Sequence, residues 1–183
     1  MYYGGERELL HIFNKNNEMA GYCGVQHALQ LMGIDGNFGP ARTAMVISLG
    51  SVSRGAIYSL KGHGFSDITV YTQRPPFLVA SKIPGVKYKQ IIKGDMGVLG
   101  TVNSNGEKTS LINELATADI IVNGVLQNPI DPVIFINDND IDKFTKACLV
   151  IDISCAMEMG FSFALQQTFP ILFLKLVKFN IMQ

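Results

Sequence analysis

"VISLGSVSRGA", Val46 to Ala56, decides the fold. An apolar run ends in a short turn around Gly50, and helix-forming sequence follows. The frame is Ser48-x-Gly50-x-x-Ser53, close to the G-x-G-x-x-G turn that carries a dinucleotide diphosphate. The middle glycine is kept, and serines replace the flanking pair. A helix start supplies unpaired N–H groups and a positive dipole end, and a glycine lets phosphate approach the backbone. Ser48, Gly50, Ser51, Val52 and Ser53 are therefore candidate diphosphate-binding residues. Serine is small, and its hydroxyl can donate to a phosphate oxygen. The plain alternative is an ordinary strand-to-helix turn made of small residues.

The flanking sequence has the right order for a nucleotide turn. "TAMVIS", Thr43 to Ser48, reads as a buried strand, and Val52 to Gly62 as a helix punctuated by Gly62 and Gly64. "DITVYT", Asp67 to Thr72, is a second strand, stopped by Arg74-Pro75-Pro76 because proline has no place in a strand interior. At the end of such a second strand, an acid selects the ribose 2′-hydroxyl of NAD. Here Thr72, Gln73 and Arg74 stand instead. A guanidinium pairs with a 2′-phosphate through its planar fork, so the expected cofactor is NADP. The bland reading of Arg74 is a solvated loop charge.

Further out, "EMAGYCGVQHALQLMG" predicts a helix after the cap-rich Asn14 to Asn17, ended by Gly33. Its small residues permit close packing against another helix. "GIDGNFGPAR" predicts a loop. "VKYKQII", Val86 to Ile92, alternates as a third strand, and Gly94 to Asn105 reads as loop. "EKTSLINELATA" predicts a helix, and "DIIVNGVL" a strand breaking at Asn123-Gly124. "NDNDIDKFTKA" predicts a capped short helix, and "CLVIDIS", Cys148 to Ser154, another buried strand. Strands alternating with helices predict an α/β fold with a mostly parallel sheet. The tail "FPILFLKLVKFNIMQ" is nearly all apolar and is open to three readings: amphipathic helix, strand or partner contact.

Composition narrows the function classes. Hydrophobic residues make up 48% of the 183-residue chain and charged residues 16%, enough for a sizeable core. Fifteen basic residues balance fifteen acidic ones, so no basic field attracts nucleic acid or a membrane surface. The N-terminal "MYYGGERELL" lacks a signal peptide's pattern, and no apolar run reaches the roughly 18 to 20 residues of a bilayer span. Cys23, Cys148 and Cys155 are odd in number and lack metal spacing; buried free thiols in a reducing cytoplasm are expected. His11, His27 and His63 are scattered and read as surface or helix-face residues, so no metal is expected.

Longer stretches carry a resemblance. "NNEMAGYCGVQHALQLMGIDGNFGPARTAMVISLGSVSRGAIYSLKGHGFSDITVYTQRPP", "ADIIVNGVLQNPIDP" and "LVIDIS…MGFSFA" resemble the N5-(carboxyethyl)ornithine synthases, relatives of alanine dehydrogenase and of the transhydrogenase nucleotide-binding subunit. The resemblance covers Gly5 to Ala164. It implies a Rossmann-type doubly wound parallel sheet, preceded by a connecting helix. It divides the chain into 1–40 (N-terminal segment and connecting helix), 41–164 (NAD(P)-binding domain) and 165–183 (an atypical tail). It implies an NADPH-dependent reductive condensation of pyruvate with the side-chain amine of ornithine or lysine. By position, Asn123, Gly124 and Val125 would lie near the nicotinamide ribose.

The departures from the family are specific. The family's substrate-binding N-terminal part is lacking, and Ala156 and Met157 stand where the family places an acid after "DIS". No catalytic residue is assigned. The alternatives are a truncated NAD(P)-binding module without catalysis, or a fragment of an alanine dehydrogenase-like enzyme. The chain is expected to form a homo-oligomer or to lack an N-terminal domain.

Overall fold

The computed structural model describes residues 2–4, 8–10, 14–94, 98–102, 106–128, 130, 132–153, 160–161 and 173–177. β1 (Tyr2–Gly4) and β2 (Glu8–Leu10) form a small antiparallel pair. α1 (Asn14–Met32) follows, starting earlier than the sequence suggests, so that the cap-rich asparagines lie in its first turn. Gly33, at φ 60°, closes it. The N–H of Ile34 then returns to the carbonyl of Leu29 at 2.9 Å.

The nucleotide-turn region forms as its pattern predicts. β3 (Thr43–Ile47) leads through the turn into α2 (Ser51–Gly62), and β4 (Asp67–Thr72) returns beside β3 in parallel. Pro76–Leu78 makes a single 3₁₀ turn after β4. β5 (Lys87–Lys93) pairs parallel with β4.

Two expectations beyond β5 are corrected. The stretch read as loop contains β6 (Leu99–Val102), which pairs antiparallel with β5. The stretch read as a helix begins as β7 (Lys108–Ser110), and only Leu111–Leu115 is helical, as α3. Short antiparallel strands joined by turns need little hydrophobic periodicity, and Gly and Asn at their ends masked β6. Thr109 supports pairing, while Ser110 at the helix N-cap starts α3 late.

β8 (Ile120–Asn123) and β9 (Cys148–Asp152) complete the parallel set. Between them Asp138–Lys143 is a 3₁₀ helix rather than an α-helix, started by a capping box from Asn137 and Asp140. β10 (Phe173–Val177) lies antiparallel to β9, so of the three readings of the tail this part is a strand.

The eight strands run in the order β10-β9-β8-β3-β4-β5-β6-β7. Its parallel part, β5-β4-β3-β8-β9, has the order 3-2-1-4-5 of a doubly wound sheet when β3 is counted as the first strand. The chain winds one way from β3 to β5, then crosses back to β8 on the other side of β3. β3 and β8 stay paired to their carboxyl ends, Ile47 beside Asn123, and this reversal of winding is the place where such sheets take a ligand, in the crevice between the connections that leave the two strands.

One sheet face is covered by α1 and α2. Val25, Leu29, Val46, Ile57, Leu60, Val70 and Val122 form that core. The other face carries Ile47, Tyr71, Leu111, Leu115, Ile121, Phe144 and Phe161. α1 and α2 run side by side in the same direction, Asn14 meeting Ser51 and Glu18 meeting Gly55. A Cβ on Gly21 would stand 1.8 Å from the Val52 carbonyl oxygen, and one on Gly55 1.8 Å from that of Glu18. The expected close packing of α1 through small residues is thus real, and Gly55 is its partner on α2.

Candidate functional site

The turn after β3 is built on an unusual backbone. Ser48 has φ 88°, the left-handed region that glycine favours. Its N–H donates to the Tyr71 carbonyl at 2.8 Å, which ties the turn to β4. Its Oγ accepts the Gly50 N–H at 3.1 Å. The serine thus holds the conformation of the first glycine and anchors it with its side chain.

Gly50, the N-cap of α2, has φ −75° and ψ −177°, a conformation open to any residue. A Cβ there would meet nothing closer than Ser48 Oγ at 3.7 Å. Neither backbone conformation nor internal packing requires glycine at 50. The first α2 amide to find a helical carbonyl is that of Arg54, on Gly50 at 2.9 Å. The amides of Ser51 and Val52, both part-exposed, are therefore left without a helical carbonyl at the helix start, while Ser53 is buried against Gly124.

The serine side chains divide their roles differently from the sequence expectation. Ser51 Oγ donates to Asn14 Oδ1, which joins the starts of α2 and α1. Ser53 is fully buried, and its Oγ donates inward to the Ile47 carbonyl at 3.3 Å. Its hydroxyl cannot serve a phosphate, contrary to expectation; the third glycine's position faces the sheet. Val52 lies at the helix start, and its carbonyl packs on Gly21.

Beside this turn β8 ends at Asn123, and Gly124 and Val125 follow it. Asn123 is fully buried. Its Nδ2 donates to Asp152 Oδ1 at 3.1 Å, and its Oδ1 accepts the Val125 N–H at 3.1 Å. Its side chain thus secures the turn rather than facing the crevice. The Gly124 N–H donates to the Ile47 carbonyl at 3.3 Å, closing β8 onto β3. The residues from Ser154 to Met159, including Cys155 and the expected acid position at Ala156 and Met157, lie outside the described residues.

At the end of β4, Thr72 is buried, and its Oγ1 accepts the Arg74 N–H at 3.3 Å. Gln73 is exposed, and its carbonyl accepts from Gln90 Nε2 at 3.2 Å. Arg74 is exposed, and its guanidinium makes no hydrogen bond or ion pair among the described residues. Arg54, on the first turn of α2, donates to the Ser81 and Ala80 carbonyls at 2.9 and 3.4 Å, fastening the loop after β4.

A second polar cluster gave no sequence signal. On the sheet face away from α1 and α2 an open groove of about 620 Å³ is lined by Met45, Thr69, Tyr71, Lys89 and Glu114, among others. The Glu114 carboxylate accepts from Tyr71 and Lys89, each at 2.7 Å, and from Thr101 and Thr109. Burial alone would raise the Glu114 carboxyl, but these donors outweigh it and hold it at about 2. The cluster joins β4, β5, β6, β7 and α3, and its charges are already matched. Long-range convergence of this kind leaves no motif.

The remaining titratable groups do not gather. Cys148 is buried, and burial pushes its thiol up to about 12. Cys23 is exposed on α1, contrary to expectation, because it lies away from the α2 contact. His27 is exposed and His63 caps α2, with Nδ1 2.8 Å from the Ser59 carbonyl; His11 lies outside the described residues. Among the described residues no group of three His, Cys, Asp or Glu could hold a metal, and no helix is long and apolar enough to cross a membrane.

No protein-family model matches the chain, and no curated protein matches it. Solved structures do. A transhydrogenase from Sinorhizobium meliloti aligns over 83% of this chain and 42% of its own, at 16% identity and a TM-score of 0.55. Shikimate dehydrogenase 1 from Peptoclostridium difficile aligns over 79% of this chain and 44% of its own, at 15% identity and a TM-score of 0.46. Shikimate 5-dehydrogenase from Thermus thermophilus, solved with NADP(H) and shikimate, aligns over 78% and 45%, at 17% identity and a TM-score of 0.46. The chain spans less than half the length of each of these proteins. The transhydrogenase likeness establishes a Rossmann-type doubly wound fold for this chain.

Proposed function

We propose that the chain binds NADPH in the crevice between the connections that leave β3 and β8, as the cofactor domain of an oxidoreductase. The observation that carries this reading is Gly50. A glycine that neither the backbone nor the packing needs is explained by a ligand that approaches the backbone closely. The residues fit the group. The amides of Ser51 and Val52 at the start of α2 would face the diphosphate. Arg74, exposed and without a side-chain partner among the described residues, would take the 2′-phosphate. Thr72 and Gln73 would shape the turn that presents it. Gly124 and Val125 would line the nicotinamide side, with Asn123 holding their turn from below.

Bound NADPH supplies a hydride donor. The sequence resemblance extends the proposal to a reaction: reductive condensation of pyruvate with the side-chain amine of ornithine or lysine. For that reaction the crevice would have to hold the condensed substrate beside the nicotinamide and exclude water. A second reading, a nucleotide-binding module that takes its catalytic groups from elsewhere, is favoured by one observation. Asn123 and Asp152, the polar side chains ending β8 and β9, are buried and bonded to each other.

Titration of nicotinamide fluorescence with NADPH and NADH tests the cofactor. Tighter NADPH binding is expected; equal affinity, or tighter NADH, contradicts the assignment. Adding pyruvate and ornithine or lysine to the NADPH complex and following nicotinamide absorbance separates the two readings. Oxidation supports the condensation, and binding without turnover supports the module.

A further inference from the structure

Two donors converge on one carbonyl at the switch point. The Ile47 oxygen accepts the Gly124 N–H and the Ser53 hydroxyl, each at 3.3 Å. Both groups are next to each other: a Cβ on Gly124 would stand 2.4 Å from Ser53 Oγ, 3.1 Å from the Ser53 nitrogen and 3.3 Å from Val52 Cγ1. Gly124 does not sit at a left-handed φ, so space, and not backbone conformation, requires glycine there. Ser53 is fully buried and makes no other side-chain hydrogen bond among the described residues.

We infer that Ser53 is a positioning residue for the diphosphate, and that Gly124 is its obligate partner. In a turn with three glycines, the third lets helix and strand approach. Here a hydroxyl bonded to the end of β3 sets that approach, and the missing side chain at 124 makes room for it. The bond fixes the first turn of α2, and with it the amides of Ser51 and Val52, against the last residue of β3. Ser53 touches no ligand; it acts through the placement of those amides. The inference rests on the cofactor reading of the same turn.

Ser53→Ala, Gly124→Ala, Ser53→Gly and the double variant Ser53→Gly/Gly124→Ala test it. Dissociation constants for NADPH and NADH are measured well below each variant's unfolding midpoint, with the midpoint recorded separately. Ser53→Ala should weaken both dinucleotides by the same factor, about fivefold, because the diphosphate is common to them. Gly124→Ala should weaken both about tenfold by driving the hydroxyl off Ile47. In the double variant the 2.4 Å clash with the hydroxyl is gone and only the milder 3.1 and 3.3 Å contacts remain, so it should bind within about threefold of Ser53→Gly alone. Unchanged constants in Ser53→Ala despite a lowered midpoint would make the residue merely structural and overturn the inference. So would additive effects at 53 and 124. Failure of the wild-type chain to bind either dinucleotide would overturn the cofactor reading itself, and the inference with it.

Discussion

Ser48 Oγ accepts the N–H of Gly50 at 3.1 Å while Ser48 itself sits at φ 88°. The side chain thereby holds a backbone conformation that costs a non-glycine residue about 1 kcal/mol. Ser48→Ala keeps the conformation and loses the bond, and should destabilise the chain by about 1 kcal/mol. Ser48→Gly loses the bond and relieves the conformation, and should stay within about 0.5 kcal/mol of wild type. Urea denaturation measures both. An alanine variant more stable than the glycine variant would contradict the account of this turn.

Arg74 should govern cofactor choice without touching stability. Its guanidinium makes no hydrogen bond or ion pair among the described residues, and a lone surface charge contributes little to folding. Arg74→Ala should leave the unfolding midpoint unchanged and weaken NADPH binding about tenfold or more, with NADH binding unaffected. Calorimetric titration of the variant with both cofactors checks this. Equal losses for the two would remove Arg74 from the 2′-phosphate site.

Glu114 makes stability depend on acid. Its folded-state carboxyl lies at about 2, below its ordinary value of 4.5, because the donated hydrogen bonds outweigh burial. The unfolded chain takes up that proton first as pH falls. The stabilisation is therefore complete above about 4.5 and lost progressively as pH drops toward about 2. Glu114→Gln should remove about 1–3 kcal/mol at neutral pH, with Lys89 left half-buried beside an amide. The gap between variant and wild type should narrow over that acid window. A gap that stays constant down to pH 2 would show that Glu114 is not held ionised.

Gly55 should tolerate nothing larger. An added Cβ would stand 1.8 Å from the Glu18 carbonyl oxygen and 2.8 Å from the Tyr22 nitrogen, both backbone atoms of α1. Gly55→Ala must push α1 off α2, a loss of about 3 kcal/mol or more, lowering the midpoint by about 10 °C. Because Asn14 of α1 meets Ser51 at the start of α2, cofactor affinity should fall as well. Thermal melts of the purified variant measure the first effect. A midpoint within about 2 °C of wild type would mean the helices are not in this contact.

The sequence made the β3-α2-β4 unit legible because its signals are local. An apolar run, turn residues, a helical repeat and a proline stop all lie within Thr43 to Pro76. β6 and β7 were hidden because their pairing is antiparallel and short, and their side chains answer to Glu114 rather than to a period. The turn pattern placed Ser48 to Ser53 on one strand-to-helix connection, but the directions of their side chains had no local signal. Ser53 and Asn123 turn inward because each meets a group distant in sequence: Gly124 for the first, Asp152 for the second. The need for Gly55 follows from a neighbour on α1, which no pattern within α2 could announce.

Gly50 remains the most direct probe of the central claim, that this turn receives a dinucleotide diphosphate. Gly50→Val places a branched side chain in open space at an ordinary backbone conformation. The expected result is an unfolding midpoint within about 2 °C of wild type and NADPH binding weakened about a hundredfold. A variant that keeps its midpoint and still binds NADPH with wild-type affinity would contradict the account.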